Sequence, residues 1–226
     1  MAAQDEKNVF GKPITEGTRM ERAIEALNNP DAGGKRGEAL EYVRKQKELS
    51  RKEVSTLCMF YNATGETLAY DDGDSRDGSK VYGTYPDRVR NGQWGAFLHV
   101  GTTGRSSGFV VYRVKNNDTD YCSQLLGWEN PGGGCHNSNN HAHCNIFKDG
   151  VVDPADEVYK RMELSSRQDK ARKLEMHTKA SIEEGISPVY EAKFTREEAE
   201  ASSLMLYAAA LQDDAAEQDV EASSAT

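Results

Sequence analysis

YPDRVRNGQWGAFLHV, residues 85–100, followed by the loop GTTGRSS and the run GFVVYRV to Val114, is where the fold can be read first. From Trp94 to Val100 the side chains alternate, with Trp94, Ala96, Leu98 and Val100 on one side and Gly95, Phe97 and His99 on the other. Period-2 alternation is the signature of a β-strand, because successive side chains stand on opposite faces of the pleat. Phe109–Val114 is a second run rich in Val and aromatic residues, with Val110, Tyr112 and Val114 opposed to Phe109, Val111 and Arg113. Two such runs joined by a Gly/Ser/Thr loop predict an antiparallel hairpin. Both faces of the first strand carry large apolar groups, so the hairpin is expected inside a sandwich, with sheet or helix on each side.

The same alternation extends outward. From Thr56 to Tyr61, Leu57, Met59 and Tyr61 alternate with Thr56, Cys58 and Phe60, and Asn62-Ala63-Thr64-Gly65 is a turn by composition. Residues 66–70 and 80–82 read as short strands, and Tyr121–Trp128 as a further one, stopped by Asn130-Pro131 and three glycines. DDGDSRDGS (71–79) resembles a calcium loop, but Arg76 breaks the D-x-[DN]-x-[DN]-G register and the closing Glu is absent, so a solvated tip is the better account. Gly101–Gly108 lacks the G-x-x-x-x-G-K-[ST] pattern and leads into a strand, which argues against a phosphate cradle.

Helices are predicted on both sides of this core. Thr18-Arg19-Met20-Glu21 fits a capping box, with Met20, Ala23, Ile24 and Leu27 at helical spacing. Residues 37–49 form a second helix with a thin stripe of Leu40 and Val43. Asp153-Pro154 opens a charged helical pattern running to Glu184, and Thr195–Glu198 caps a last helix striped by Leu204, Tyr207, Ala208 and Leu211. The expected organisation is an irregular arm (1–17), a helical preface (18–53), a β-sandwich core (54–130), a Cys/His-rich loop (131–152), a charged helical extension (153–212) and a disordered tail (213–226).

Composition narrows the function classes. Of 226 residues 37% are hydrophobic, mean hydropathy is −0.77, and the formal net charge is −9. An acidic chain is a poor partner for phosphate backbones, so no nucleic acid is expected. No apolar run approaches membrane-spanning length, and the start lacks a basic segment followed by an apolar one. A cytoplasmic address is therefore expected, with the four cysteines reduced and the Asn62 and Asn117 sequons unused.

Cys135–Cys144 (CHNSNNHAHC) holds two Cys and three His within ten residues. Thiolates and imidazoles are the ligands zinc takes, and Cys135, His141, His143 and Cys144 could fill four positions. The spacing fits no standard finger, and the competing reading is a polar loop with no cofactor. His99 with Cys58 or Cys122 would be the pair for a thiol hydrolase, which no motif supports. The aromatic supply around the central hairpin (Tyr82, Tyr85, Trp94, Tyr112, Trp128) could hold a quaternary ammonium by cation–π attraction or stack on a sugar ring. Against this, Trp94 and Tyr112 also suit a core.

FGKPIT, CMFYNATGETL, YPDRVRNGQWGAFLHV and GFVVYRV together resemble the 23 kDa jasmonate-induced proteins of plants, over roughly Asn8–Trp128. More distantly the family is similar to actinoporin-like and nakanori-type β-sandwiches, some of which bind membrane lipid head groups. The resemblance implies a non-enzymatic stress- or defence-related protein, mainly β with helical additions, whose partner is a lipid head group or glycan. It also implies further strands beyond Trp128, where the residues themselves read as a Cys/His loop and charged helices. The alternative readings are a zinc-binding interaction protein and, behind it, the Cys/His hydrolase.

Overall fold

The strands of the central stretch lie in two stacked sheets, in a computed structural model that describes residues 8–133 and 139–208. The first sheet runs β1 (Val9–Phe10), β6 (Trp94–Val100), β2 (Ser55–Ala63), β12 (Val189–Arg196), β11 (Met176–Ile182), β10 (Gln168–Lys173), with β4 (Lys80–Tyr82) also paired to β6. The second runs β5 (Arg88–Val89), β3 (Leu68–Ser75), β7 (Ser106–Lys115), β8 (Tyr121–Asn130), β9 (His141–Lys148). Helices α1 (Arg19–Asn28) and α2 (Lys35–Ser50) cover the outer face of the first sheet, and α3 (Ala155–Leu164) covers the second. The result is four layers, helix–sheet–sheet–helix.

The two-faced alternation of β6 has its explanation here. Trp94, Ala96, Leu98 and Val100 pack with Leu57, Met59 and Tyr61 under Ala26, Ala39 and Val43 of the helices. Phe97 faces the other way, into the layer between the sheets, with Phe60, Tyr112, Leu126, Trp128 and Phe194. Every residue of β2 and β6 is buried. At roughly 25 cal/mol per Å² of apolar surface removed from water, these two interfaces supply most of the driving force for folding.

The predicted hairpin between β6 and β7 is not formed. β6 pairs with β2, in register from Ser55↔Val100 to Tyr61↔Trp94, while β7 pairs with β3 and β8 in the opposite sheet. The connecting loop is not one of the two-residue turns that hold adjacent strands together. It crosses between the layers instead, through a bend so tight that a Cβ on Gly101 would lie 2.2 Å from the Arg105 carbonyl oxygen.

The C-terminal expectations need larger corrections. His141–Lys148, placed in a Cys/His loop, is strand β9, paired to β8 from Glu129↔His141 to Cys122↔Lys148. Of the charged helical pattern running from Asp153 to Glu184 only α3 is helix; residues 168–196 form β10, β11 and β12. β10 and β11 make a hairpin closed by Leu174 and Glu175, both with positive φ (54° and 61°). That is the geometry of a type I′ turn, reached without the Asn or Gly that would reveal it. β10 is an exposed polar edge with no inward apolar row, so its Lys and Arg density reads as helix. β12 then lies parallel to β2, from Val189↔Leu57 to Thr195↔Ala63, so the C-terminal half completes the first sheet. A helix over 197–208 follows, with Leu204, Met205, Leu206 and Tyr207 exposed rather than packed as a stripe. Arg196, read as part of its cap, is instead a buried end of β12; its guanidinium donates to the carbonyls of Thr64, Lys115 and Asn116. Residues 213–226 and Leu211 lie outside the described residues.

Candidate functional site

The aromatic residues singled out for ligand binding do not meet. Trp94 is 2% exposed beneath the helices, its indole N–H donating to the Pro30 carbonyl at 2.7 Å. Tyr112 and Trp128 are fully buried between the sheets, and the Tyr112 hydroxyl donates to the Pro86 carbonyl at 2.9 Å. These three are core, which corrects their assignment to a binding surface. The reason is the alternation itself: a strand with two apolar faces in a four-layer molecule has no face left for a ligand. Tyr82 is half-buried against the helical layer, and Tyr85 closes the lateral edge of the sandwich, stacked on Tyr70 at 5.4 Å and 14°.

The proposed zinc ligands also separate. On β9 the pleat sends His141 and His143 to one side and Cys144 to the other. His141 Nδ1 bonds the Met162 carbonyl (2.9 Å), and His143 Nδ1 bonds the Asp169 carboxylate (2.8 Å). The Cys144 thiol points inward and donates to the Thr178 carbonyl at 3.5 Å; burial pushes its pKa up, the opposite of what a metal-binding thiolate needs. Cys135 and His136 lie outside the described residues. Among the described residues no cluster of His, Cys, Asp or Glu is arranged to hold an ion.

The Cys/His pair fares no better. His99 is enclosed between the sheets, with Nε2 3.0 Å from Ser75 Oγ and Nδ1 2.9 Å from Ser106 Oγ, so both ring nitrogens are occupied by hydroxyls. Burial pushes its pKa down to about 3. Cys58 and Cys122 are buried free thiols, and burial pushes Cys122 up to about 12. No carboxylate bonds the His99 imidazole, so nothing prepares it as a base.

An open basin does form at one end of the sandwich, where the chain leaves the strands. It is lined by Val54, Asp77, Thr103, Arg105, Gly132 and Ile186, with a volume of ≈ 990 Å³. Loops bound at the end of a rigid sandwich are where such folds place their sites. Each wall is fixed. The Asn130 amide donates to the Ser55 carbonyl (3.0 Å) and the Ile186 carbonyl (3.2 Å), and its oxygen accepts from Gly132 N–H (3.0 Å). Thr102 and Thr103 hydroxyls donate to the Gly78 and Asp77 carbonyls at 2.6 and 2.9 Å. Gly132 has φ +66°, and a Cβ there would meet the Gly104 oxygen at 1.9 Å, so two loops touch backbone to backbone.

In this basin one accessible guanidinium meets two carboxylates. Arg105 reaches Asp77 at 3.0 Å and Glu129 at 3.1 Å, and Glu129, almost fully buried, also accepts from the Ser107 hydroxyl. The Arg105 side chain keeps 36% exposure, and Ile186, which lines the same basin, is 42% exposed. A basin lined by both a guanidinium and an apolar side chain can meet an ester-linked anion and the carbon attached to it. Sequence reasoning passed over these residues, since Arg105 sits in an unremarkable polar loop and Ile186 in a helix-breaking stretch. The signal that could have found them is the concentration of Gly, Thr and Asn at strand ends.

Comparison with known proteins fits this architecture. A family described as Nakanori-like protein matches residues 4–197. The 23 kDa jasmonate-induced protein of Hordeum vulgare is 38% identical over 127 residues, which are 54% of this chain and 59% of that protein, so the match spans little more than half of the relative's length. The crystal structure of the lipid binding protein Nakanori superposes with a TM-score of 0.74 at 19% identity, covering 83% of this chain and 100% of that one. The wild-type lectin XCL of Xerocomus chrysenteron reaches a TM-score of 0.39 at 12% identity, over 62% of this chain and 99% of the lectin.

Proposed function

Since the chain belongs to the Nakanori-like protein family, we propose that it is a non-catalytic, stress-related binding protein whose ligand is a lipid head group, taken in the loop basin at the end of the sandwich. The likeness to a jasmonate-induced protein supports the stress response, and the likeness in fold to a lipid binding protein supports the ligand class. The observation that carries the reading is the preorganised basin, whose lining includes both the Arg105 guanidinium and exposed Ile186. Binding there needs no rearrangement, because the walls are already tied by Asn130, Thr102 and Thr103. No helix among the described residues is long and apolar enough to cross a membrane, so attachment would be to a surface.

In a flotation assay with phosphatidylcholine vesicles, the full chain rises with the lipid. Ile186→Asp, a change at a half-exposed position, retains the melting temperature and reduces the bound fraction about tenfold, as expected for loss of a buried aliphatic contact. A folded wild-type chain that stays at the bottom with neutral and anionic vesicles alike would overturn the reading.

A further inference from the structure

The outer face of β10, β11 and β12 carries an arrangement that stability does not explain. Lys170 stands opposite Lys179, and Lys179 opposite Lys193, so three lysines form one row across three adjacent strands. Directly opposed residues have Cβ atoms ~5 Å apart, and like charges in such pairs are destabilising. The row occurs in a chain with 28 basic against 37 acidic residues, where carboxylates to neutralise it are plentiful.

The nearby carboxylates are shared with, or held by, other groups. Glu200 lies 3.2 Å from Lys179 Nζ, but it also receives His177 Nδ1 at 2.6 Å and the Thr195 hydroxyl at 2.9 Å. Glu191, in the next row, is held by Arg36 at 2.6 Å. Asp169 accepts from His143 and from the Cys144 N–H. Among the described residues Lys170 and Lys193 have no carboxylate within ion-pair distance. Lys193 passes over the Tyr61 ring, its Nζ 5.7 Å from the centroid. Burial first, and the charge of Lys179 second, hold its pKa below the usual lysine range.

A groove of ≈ 750 Å³ runs along the row; Ser166, Gln168 and Ser181 add neutral donors to its lining, which also includes the carboxylates of Asp169 and Glu191, the first bonded by His143 and the second by Arg36. We propose that this groove is a binding site for a small anion bearing two or more phosphate groups, with Lys170, Lys179 and Lys193 each meeting phosphate oxygens and Ser181 and Gln168 completing the hydrogen bonds. The anion relieves the repulsion within the row, which is why the row persists. The site is separate from the loop basin and stands whether or not the basin holds a lipid. The phosphates can belong to a soluble molecule or to a phosphorylated lipid head group.

Calorimetric titration of the full chain with inorganic pyrophosphate tests the soluble source, and flotation with phosphatidylcholine vesicles containing phosphatidylinositol bisphosphate tests the lipid one. Two variants are compared, Lys170→Ser/Lys179→Ser at exposed positions and Lys193→Met, each checked for an unchanged circular dichroism spectrum. Affinity is expected to fall about tenfold for each lysine removed, the scale of a lost charge-assisted hydrogen bond, and to weaken with added salt. Ile186→Asp leaves pyrophosphate binding intact, which separates this site from the basin. Binding of either probe that is lost in the lysine variants supports the site and identifies its source. Absence of binding to both, or binding equal in wild type and the double variant, overturns it.

Discussion

His99 shows how one buried residue couples the fold to pH. From β6 in the first sheet its ring reaches Ser75 and Ser106 in the second and touches Trp128 edge-on at 4.9 Å. Burial favours the neutral ring and pushes the pKa down to about 3, against an unfolded value near 6.5. Below pH ~6.5 the unfolded chain therefore takes up a proton that the native chain refuses, and stability falls until the pH reaches the folded value. The loss is about 1.4 kcal/mol per pH unit in that window. Urea midpoints at pH 7 and pH 5 should differ accordingly, and His99→Gln should flatten the difference. An unchanged slope in the variant would show that groups other than His99 carry the effect. The same burial accounts for what was misread at this scale: Trp94, Tyr112 and Trp128 were legible as large aromatic residues on strands, but which face each used was set by the layers above and below.

At the level of elements, the loop basin depends on strand ends held by side chains as well as by backbone bonds such as Ser55 N–H to the Ile186 carbonyl and Gly101 N–H to the Val54 carbonyl. Asn130 closes β8 and links it to β2 and to the β11–β12 connection through two carbonyls. Asn130→Ala leaves the buried Ser55 carbonyl without this donor and should cost about 2 kcal/mol in thermal unfolding, with weaker vesicle binding as the basin loosens. A variant of wild-type stability would show the loops are held some other way. β6 and β7 were each readable from alternation, as was the capping box of α1, in which Thr18 and Glu21 bond each other's backbone. Their pairing was not readable, because a loop of that length fixes no partner. β10 and β11 were missed for a different reason. Their turn is built from Leu174 and Glu175, and the inward face of β11 includes Thr178, whose hydroxyl donates to Gln124 within the core. A polar residue satisfied in the interior looks, in sequence, like one bound for solvent.

Across the whole molecule, the parallel pairing of β12 with β2 makes the C-terminal half indispensable. Without residues 165–196, β2 would lose its neighbour on one side and expose an unpaired edge in the middle of the apolar layers. A chain ending at Leu164 is expected to be insoluble, and limited proteolysis of the full chain with mass mapping should leave a fragment that runs past Arg196. A resistant core ending near Trp128 would contradict this architecture. The net charge of −9 belongs to the same scale: it works against long-range attraction to anionic surfaces, so the lysine row and Arg105 would act only at short range.

Sequence alone determined the layered character of the centre, since a strand apolar on both faces must be covered twice. It determined the start of α1 as well, because the Thr18/Glu21 capping box is settled within four residues of chain. It also carried the family resemblance, through runs such as NGQWGAFLHV that read as continuous strings. Tertiary structure alone decided which strands are neighbours, that a charge-rich stretch is an edge hairpin, and that three lysines from three strands stand in one row. Those outcomes rest on contacts between residues far apart in the chain, and a one-dimensional pattern holds no term for them.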